Sequence, residues 1–197
     1  MSDTPPGQNS VTPPALPPLP SPERIQEMLF EASRIGRDDM IPILLEAGAD
    51  IEATDTKGHT PLVLASYHGF ETTSALLLSH GASPNGITAT GSPLMGVAFK
   101  GHFPIAQLLL SAGANPNLRN AAGQTAVMMA ALFDRREIIE LLLNAGADIN
   151  AVDAAGNTAA ALALVQGNED LAQWLNGSVD TRPGSLCHKD HSHAAGP

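Results

Sequence analysis

A repeat of 32 or 33 residues constrains the fold of this chain more than any other feature of its sequence. Candidate helix starts recur at intervals of 32, 33 and 33 residues, at Thr60, Ser92, Thr125 and Thr158. Leucine-rich segments end at glycines spaced by 33, 32 and 33 residues, at Gly48, Gly81, Gly113 and Gly146. Self-similarity at this period is typical of a solenoid, in which each unit covers the apolar face of the next.

One complete unit lies between residues 58 and 83. Thr60 is expected to cap a helix that begins at Pro61, where the missing N–H has no effect on the helix. Gly69 is expected to end that helix in a left-handed conformation, and a second helix follows up to Gly81. Two helices this short are marginally stable alone, because nucleation is costly and one apolar face stays uncovered. The unit therefore requires neighbours.

Five segments resemble the ankyrin repeat: LFEASRIGRDDMIPILLEAGADIEA (29–53), TPLVLA (60–65), SPLMGVA (92–98), LLLSAGANPN (108–117) and LLLNAGADIN (141–150). The resemblance implies an all-α solenoid with β-turn fingers over residues 22–177. It implies about five units, including two capping units, at about 22–55, 56–85, 86–117, 118–150 and 151–177. It also implies that a partner protein binds in the concave groove of the array.

The two ends of the chain differ in composition from the repeats. Residues 1–21 contain seven prolines and no aromatic residue, so we expect this segment to be disordered or extended. Its PPLP sequence (17–20) is either a ligand for a proline-binding groove or part of a linker, and we favour the linker. Residues 178–197 are predicted to be a flexible tail.

Composition excludes several classes of function. The net charge of −10 makes nucleic acid an unfavourable partner, because that binding depends on neutralising phosphates. No apolar run approaches the ~18 residues of a membrane span, and no secretion signal is recognisable at the N-terminus. A single cysteine fits a reducing compartment. We therefore expect a cytoplasmic protein.

Charge is unevenly distributed along the chain. Residues 22–55 contain nine Asp or Glu and three Arg, whereas no carboxylate occurs between Glu71 and Asp134. Lys100 and Arg119 lie within that neutral stretch. The neutral centre is either a contact surface or simply the consequence of charged capping units at the ends.

The third unit departs from the pattern of the others in two ways. One residue is missing between Gly81 and Ser92, which predicts a shortened finger, and Asn85-Gly86 suggests a tight turn. Gly96 replaces the large residue found at Leu64 and Met129. Glycine inside a helix costs up to ~1 kcal/mol relative to alanine. This unit is therefore predicted to be the softest, or to have another group packed closely on its backbone.

Motifs for catalysis are not recognisable in the sequence. It contains no phosphate-binding glycine loop, HExxH, CxxC or nucleophile elbow, so we expect a protein that is not an enzyme. The tail contains Cys187, His188, His191 and His193, a donor set that can bind zinc, copper or haem iron. The spacing fits no closed zinc site, and we favour an incidental cluster, with no cofactor.

The predicted partner-binding surface consists of the residues at the ends of the first helices and in the turns. The four histidines that ankyrin units have in TPLH are absent, so apolar packing is expected to hold the units together. The candidate residues are Tyr67, His68, Phe99, Lys100, Leu132, Phe133, Val165 and Gln166, with Lys57 and His59 in a turn. Aromatic side chains in a groove with a polar rim are typical of protein interfaces.

Two other functions remain open. Small ankyrin proteins of bacteria include some that are associated with catalases and thought to aid haem handling. A resemblance of that general kind would make the chain a haem or metal delivery protein that uses the Cys-His tail. An effector that acts inside a host cell is a third interpretation, without support from particular residues.

Overall fold

The computed structural model describes residues 20–86, 88 and 91–180. These residues form ten α-helices: α1 Pro22–Ile35, α2 Met40–Glu46, α3 Pro61–His68, α4 Glu71–Ser79, α5 Pro93–Lys100, α6 Phe103–Ser111, α7 Ala126–Leu132, α8 Arg136–Asn144, α9 Ala159–Val165 and α10 Glu169–Asp180. They make five helix pairs, which confirms the predicted all-α solenoid. The predictions for residues 1–19 and for the Cys-His tail lie outside the described residues.

The first helix of each pair begins where the capping residues predict. The Thr60 hydroxyl accepts a hydrogen bond from the backbone N–H of Val63 at 3.3 Å, and Pro61 occupies the first helical position. Gly69, with φ 87°, ends α3 in the left-handed conformation. Asp134 has the corresponding role after α7, with φ 52°. These local signals determine where the helices begin and end.

The helices lie in two rows. The first helices α1, α3, α5, α7 and α9 each pack against the next, and each second helix packs on its own first helix. Between the rows, one leucine per pair is almost fully buried, at Leu44, Leu77, Leu109, Leu142 and Leu175. Burying a leucine stabilises a fold by about 1.5–3 kcal/mol, so this repeated position holds both rows together.

Glycines between the helices of a pair are covered by the next pair. A β-carbon at Gly36 would lie 2.4 Å from Cδ1 of Phe70, so no larger residue fits there. The same contact recurs along the stack, at Gly36 with Phe70, Gly69 with His102, and Gly101 with Arg135. Each of these glycines therefore provides both a positive φ and the space for a side chain of the following unit.

Side-chain hydrogen bonds connect successive units, contrary to the expectation that apolar packing alone holds them. The Asn117 amide accepts from the Asp148 N–H at 2.7 Å and donates to the Gly146 carbonyl at 3.0 Å. Asn85 makes the same two bonds one unit earlier, with Asn115 and Gly113. These bonds replace the polar ties that the absent histidines would have made, so the expectation was wrong.

The N-terminus of α2 has no side-chain cap. Asp39 occupies the N-cap position, but its side chain makes no capping bond and instead pairs with Arg37 at 2.9 Å. The Asp38 carboxylate accepts a hydrogen bond from the hydroxyl of Thr73 in the next unit. A local arginine occupies the Asp39 carboxylate, and a hydroxyl of the next unit occupies the Asp38 carboxylate.

The third unit has the shortened finger that its sequence predicts. In the second unit the turn is closed by the bond from the Asp55 N–H to the His59 carbonyl, four residues apart. In the third unit Thr88 and Gly91 exchange two backbone bonds of 3.0 Å across three residues. A weaker turn also lies at Asn85-Gly86, where the Gly86 N–H approaches the Ser83 carbonyl at 3.5 Å. The Asn85 side chain is used in the junction between the second and third units.

The last pair differs from the others on its outer side. Ser66, Ala98 and Ala131 occupy one position in successive first helices and are buried. The corresponding residue of α9 is Leu164, which is 53% exposed. The final helix α10 continues to Asp180, so residues 178–180, assigned to the tail from the sequence, are helical.

Candidate functional site

Eight of the ten predicted site residues lie at equivalent places at the ends of four first helices. Tyr67 and His68 end α3, and Phe99 and Lys100 end α5. Leu132 ends α7 and Phe133 follows it, while Val165 ends α9 and Gln166 follows it. Because the first helices pack side by side, these ends form one surface with the turns between units, which we call the groove.

Three aromatic rings make a continuous line across the second, third and fourth units. The rings of Tyr67 and Phe99 stack with centroids 6.3 Å apart and planes 15° apart. The rings of Phe99 and Phe133 meet edge to face at 4.5 Å. Tyr67 is 37% exposed and Phe133 is 44% exposed, so the line is accessible at both ends. We call these three residues the aromatic line.

Gly96 accounts for the position of the Tyr67 ring. A β-carbon at Gly96 would lie 3.3 Å from Cδ2 of Tyr67, closer than ordinary van der Waals contact. The sequence predicted either a soft unit or a group packed closely on this backbone. The structure shows the close packing, and the packed group is the tyrosine ring of the preceding unit.

Lys100 is positioned by the same rings. Its Nζ lies 4.6 Å from the centroid of the Tyr67 ring and 5.9 Å from that of Phe99. Such cation–π contacts contribute about 0.5–1 kcal/mol at exposed sites. The contact holds a positive charge over the aromatic line.

A cavity of about 550 Å³ opens in the groove between the second and third units. Its apolar lining comes from the inner positions of three first helices, at Val63, Leu64, Met95, Gly96 and Met129, together with Tyr67 and Phe99. Volumes of about 300–1,000 Å³ are typical of sites that enclose a ligand group. Gly96 leaves this space open, because Leu64 and Met129 occupy the corresponding place in neighbouring units.

The polar side of the cavity is built on one turn. Asp55 Oδ1 accepts the backbone N–H groups of Lys57 and His59, both at 2.9 Å. Its Oδ2 pairs with Arg34 Nη2 at 3.2 Å. Burial acts to raise the pKa of Asp55, but these backbone hydrogen bonds and the nearby His59 imidazole outweigh it and hold the pKa below its usual value. The carboxylate is therefore ionised, and both of its oxygens have partners.

The pKa of His68 is consistent with a positive potential in the groove. Its pKa lies below the usual value, first because the ring is partly desolvated and then because Arg34, Lys100 and His102 repel the protonated form. Three cationic or imidazole groups from the first and third units thus act at one ring. The groove is positive here, although the whole chain has a net charge of −10.

Not every predicted residue belongs to the cavity. Val165 is 76% exposed and lies with Gln166 at the last unit, away from the lining residues. Leu132 is half-buried and packs on the core. Arg119, expected at the centre of the groove, donates instead to the carbonyls of Gly123 and Val152 and ties the last two fingers together.

Several contributors were missed from the sequence. Arg34 and Asp55 form the polar side of the cavity, and Met95 and Met129 form its floor. The sequence does show that Gly96 replaces a large residue. This replacement marks the place where a repeated inner position of the first helices has no side chain. The pairing of Arg34 with Asp55 joins the end of α1 to the turn before α3, 21 residues later, and no local sequence pattern predicts it.

Within the described residues, the structure shows no other kind of site. No group of three or more Cys, His, Asp or Glu side chains there is arranged to hold a metal ion. None of the helices described is long and apolar enough to cross a membrane. Cys187, His188, His191 and His193 lie beyond the part of the chain that the structure describes.

Comparison with known proteins identifies the repeat. The model for ankyrin repeats (three copies) matches residues 29–120 and 94–182. An ankyrin repeat-containing protein of Treponema pallidum (strain Nichols) is 39% identical over 64 residues, which is 32% of this chain and 22% of that protein. The matched region thus spans about a fifth of the length of this relative.

Proposed function

The chain belongs to the ankyrin repeat family, and we propose that it binds another protein in the groove. Ankyrin repeats are in general protein–protein interaction modules, and the groove is the surface of this chain best suited to that role. The proposed contact residues are the aromatic line, with His68, Lys100, Lys57 and His59 around it. Val165 and Gln166 extend the surface to the last unit.

The aromatic line beside an open cavity is the observation that supports this assignment. Tyr67 and Phe133 expose more than a third of their surface although both belong to a stack of ordered rings. Aromatic side chains that are already ordered lose little conformational entropy on binding, and they dominate the energetics of protein interfaces. The neighbouring cavity supplies a place for a partner side chain.

The order of the groove before binding favours recognition of a partner. The Asp55 turn, the Tyr67–Phe99 stack and the Lys100 contact hold four side chains without any ligand. A rigid stack of units presents these groups in a fixed geometry, so that the partner's binding energy is not used to order the receptor. The proposed role is therefore a binding role.

Capture with groove variants tests the proposal. The full chain would be immobilised and exposed to lysate of its native cell, and the captured proteins quantified by mass spectrometry. Tyr67→Ala combined with Phe99→Ala should remove proteins that the unmodified chain captures. Thermal unfolding of the double variant, followed by circular dichroism, verifies that the solenoid remains folded.

Ile43→Ala provides a matched control. Ile43 is 58% exposed on α2, a second helix, so the change removes exposed apolar surface outside the groove. This variant should capture the same proteins as the unmodified chain. Unchanged capture by the folded double variant would refute the groove as the binding surface.

A further inference from the structure

The groove has more positive than negative charge, in contrast to the chain as a whole. Arg34, Asp55 and Lys57 line the cavity, and Lys100 lies over the Tyr67 ring. The groove thus contains three cationic side chains and one carboxylate, whereas the whole chain has 20 Asp or Glu and 10 Lys or Arg. The local excess of positive charge is the property that selects a partner.

The single carboxylate does not offset both lysines. Asp55 uses one oxygen for Arg34 and the other for two backbone N–H groups. Among the described residues, no carboxylate lies within ion-pair distance of Lys57 or Lys100. The two ammonium groups are therefore available to a ligand, one at the cavity and one over the Tyr67 ring.

Distant acidic residues do not cancel this local field. At physiological ionic strength the screening length is about 8 Å, so exposed charges beyond that distance act weakly on a ligand in the groove. No carboxylate occurs in the sequence between Glu71 and Asp134, which includes all of α5 and α6. The lowered pKa of His68 is consistent with a positive potential at this place.

The cavity beneath the charges is apolar. Its floor is formed by Leu64, Met95 and Met129, and its wall by the Tyr67 and Phe99 rings. Methionine side chains adapt to irregular partner groups. A partner that satisfies both features needs an apolar side chain for the cavity and carboxylates for the rim.

We propose that the groove binds an extended acidic segment of a partner protein, with one large apolar side chain in the cavity and flanking carboxylates against Lys57 and Lys100. This inference rests on the proposed function, because it names the kind of segment that the same groove accepts. An extended segment suits the geometry, since the lysines belong to different units. A nucleic acid strand and a second copy of this chain are the alternatives that the experiment separates.

Fluorescence anisotropy with synthetic peptides tests the charge selection. The first labelled peptide alternates Asp and Glu with Leu and Phe. The second has every carboxylate replaced by its amide, and the third has lysine at those places. The full chain should bind the acidic peptide about tenfold more tightly than the amide peptide, and an increase in salt should reduce that difference.

Single-residue variants locate the selection in the groove. Lys57→Gln and Lys100→Gln should each weaken binding of the acidic peptide by about 2- to 5-fold and weaken binding of the amide peptide by less, so that the preference for the acidic peptide falls. Arg24→Gln is the matched control, because Arg24 is an exposed cation that pairs with Glu27 away from the groove. Asp55→Asn should strengthen binding of the acidic peptide, since it removes the one carboxylate of the cavity.

The outcomes separate this inference from the proposed function. Equal binding of the acidic and amide peptides, lost in the Tyr67→Ala and Phe99→Ala double variant, would retain the groove and overturn the charge selection. Tighter binding of the lysine peptide, or of a labelled oligonucleotide, would also overturn it. So would self-association of the chain at the assay concentration in sedimentation, because the occupant would then be a second copy. Failure of all three peptides would refute the inference, and the capture experiment would still decide whether the groove binds a protein.

Discussion

The Tyr67 ring lies directly on the backbone of Gly96, so close that a β-carbon at Gly96 would be 3.3 Å from Cδ2 of the ring. The third unit lacks a side chain at this place, and the second unit fills the space with its only tyrosine. This contact allows Tyr67 to stack on Phe99 and leaves the cavity open beside it. One glycine thus determines the shape of the candidate site.

Gly96→Leu should close the site without unfolding the array. Leucine occupies the corresponding position in the second and fifth units, as Leu64 and Leu162, so the fold accommodates it. The added side chain displaces the Tyr67 ring, while the gain in helix propensity of up to ~1 kcal/mol offsets part of the lost packing. We expect the free energy of unfolding to change by no more than about 1 kcal/mol, and partner capture to fall to the level of the Tyr67 and Phe99 double variant. Retained capture would show that the vacancy at Gly96 is not needed for binding.

Gly36→Ala should destabilise the chain strongly. Gly36 has φ 72°, and the new methyl group would lie 2.4 Å from the Phe70 ring. A left-handed alanine costs about 1–2 kcal/mol and overpacking about 1–3 kcal/mol, so we expect a loss of about 2–5 kcal/mol in urea unfolding. Gly48→Ala is the control, because Gly48 has φ 95° with no other atom near its would-be β-carbon. An equal loss in both variants would show that the Phe70 contact yields easily.

Asn117→Ala should weaken the junction between the third and fourth units. The change removes two bonds, from the Asp148 N–H and to the Gly146 carbonyl. Loss of hydrogen bonds of this kind costs about 1–2 kcal/mol, and hydrogen exchange of the helices beyond this junction, α7 to α10, should increase. Asn150 occupies the same place in the fourth unit, but α10 of the fifth unit continues to Asp180 instead of turning, and the Asn150 side chain makes no such bond within the described residues, so Asn150→Ala should have almost no effect. Similar exchange in both variants would contradict this role for Asn117.

Asp55→Asn should reduce the dependence of stability on acid pH. The pKa of Asp55 is lower in the folded chain than in the unfolded chain, so ionised Asp55 stabilises the fold above its unfolded value of about 3.9. That contribution is lost as the pH falls through the lower folded pKa. Asparagine keeps the accepting oxygen, as Asn120 shows in the fourth unit with bonds of 3.0 Å from Ala122 and Gln124.

Urea unfolding between about pH 3 and about pH 6 measures this effect. Near neutral pH the variant should lose no more than about 1 kcal/mol, because Arg34 is partly exposed and its ion pair is screened. Below the unfolded pKa the two proteins should approach the same stability. A parallel decline of both proteins with pH would assign the acid sensitivity to other carboxylates.

The sequence predicted the features that depend on local chemistry. Thr60 and Ser92 cap helices because a hydroxyl before a proline satisfies the first free N–H groups, and this requires no knowledge of distant residues. The repeat then implied the stacking order of the pairs. The shortened finger of the third unit followed from counting residues between Gly81 and Ser92.

The relationships that were missed join residues of different units. The junction bonds of Asn85 and Asn117 span 28 to 31 residues, and the register of the stack determines them. A signal was nevertheless present, because asparagine recurs at 85, 117 and 150 in GASPN, GANPN and GADIN. No such recurrence was present for Arg34 and Asp55, because this ion pair occurs once among the described residues.

The exposed side chain of Leu164 limits how this protein could be lengthened by design. Serine or alanine at the equivalent place of the earlier pairs lets the following helix approach, whereas a leucine holds it away. A fusion that appends another helix pair would leave a gap at the seam, and water would enter it. Extension of this array by design should therefore begin with the replacement of Leu164 by alanine.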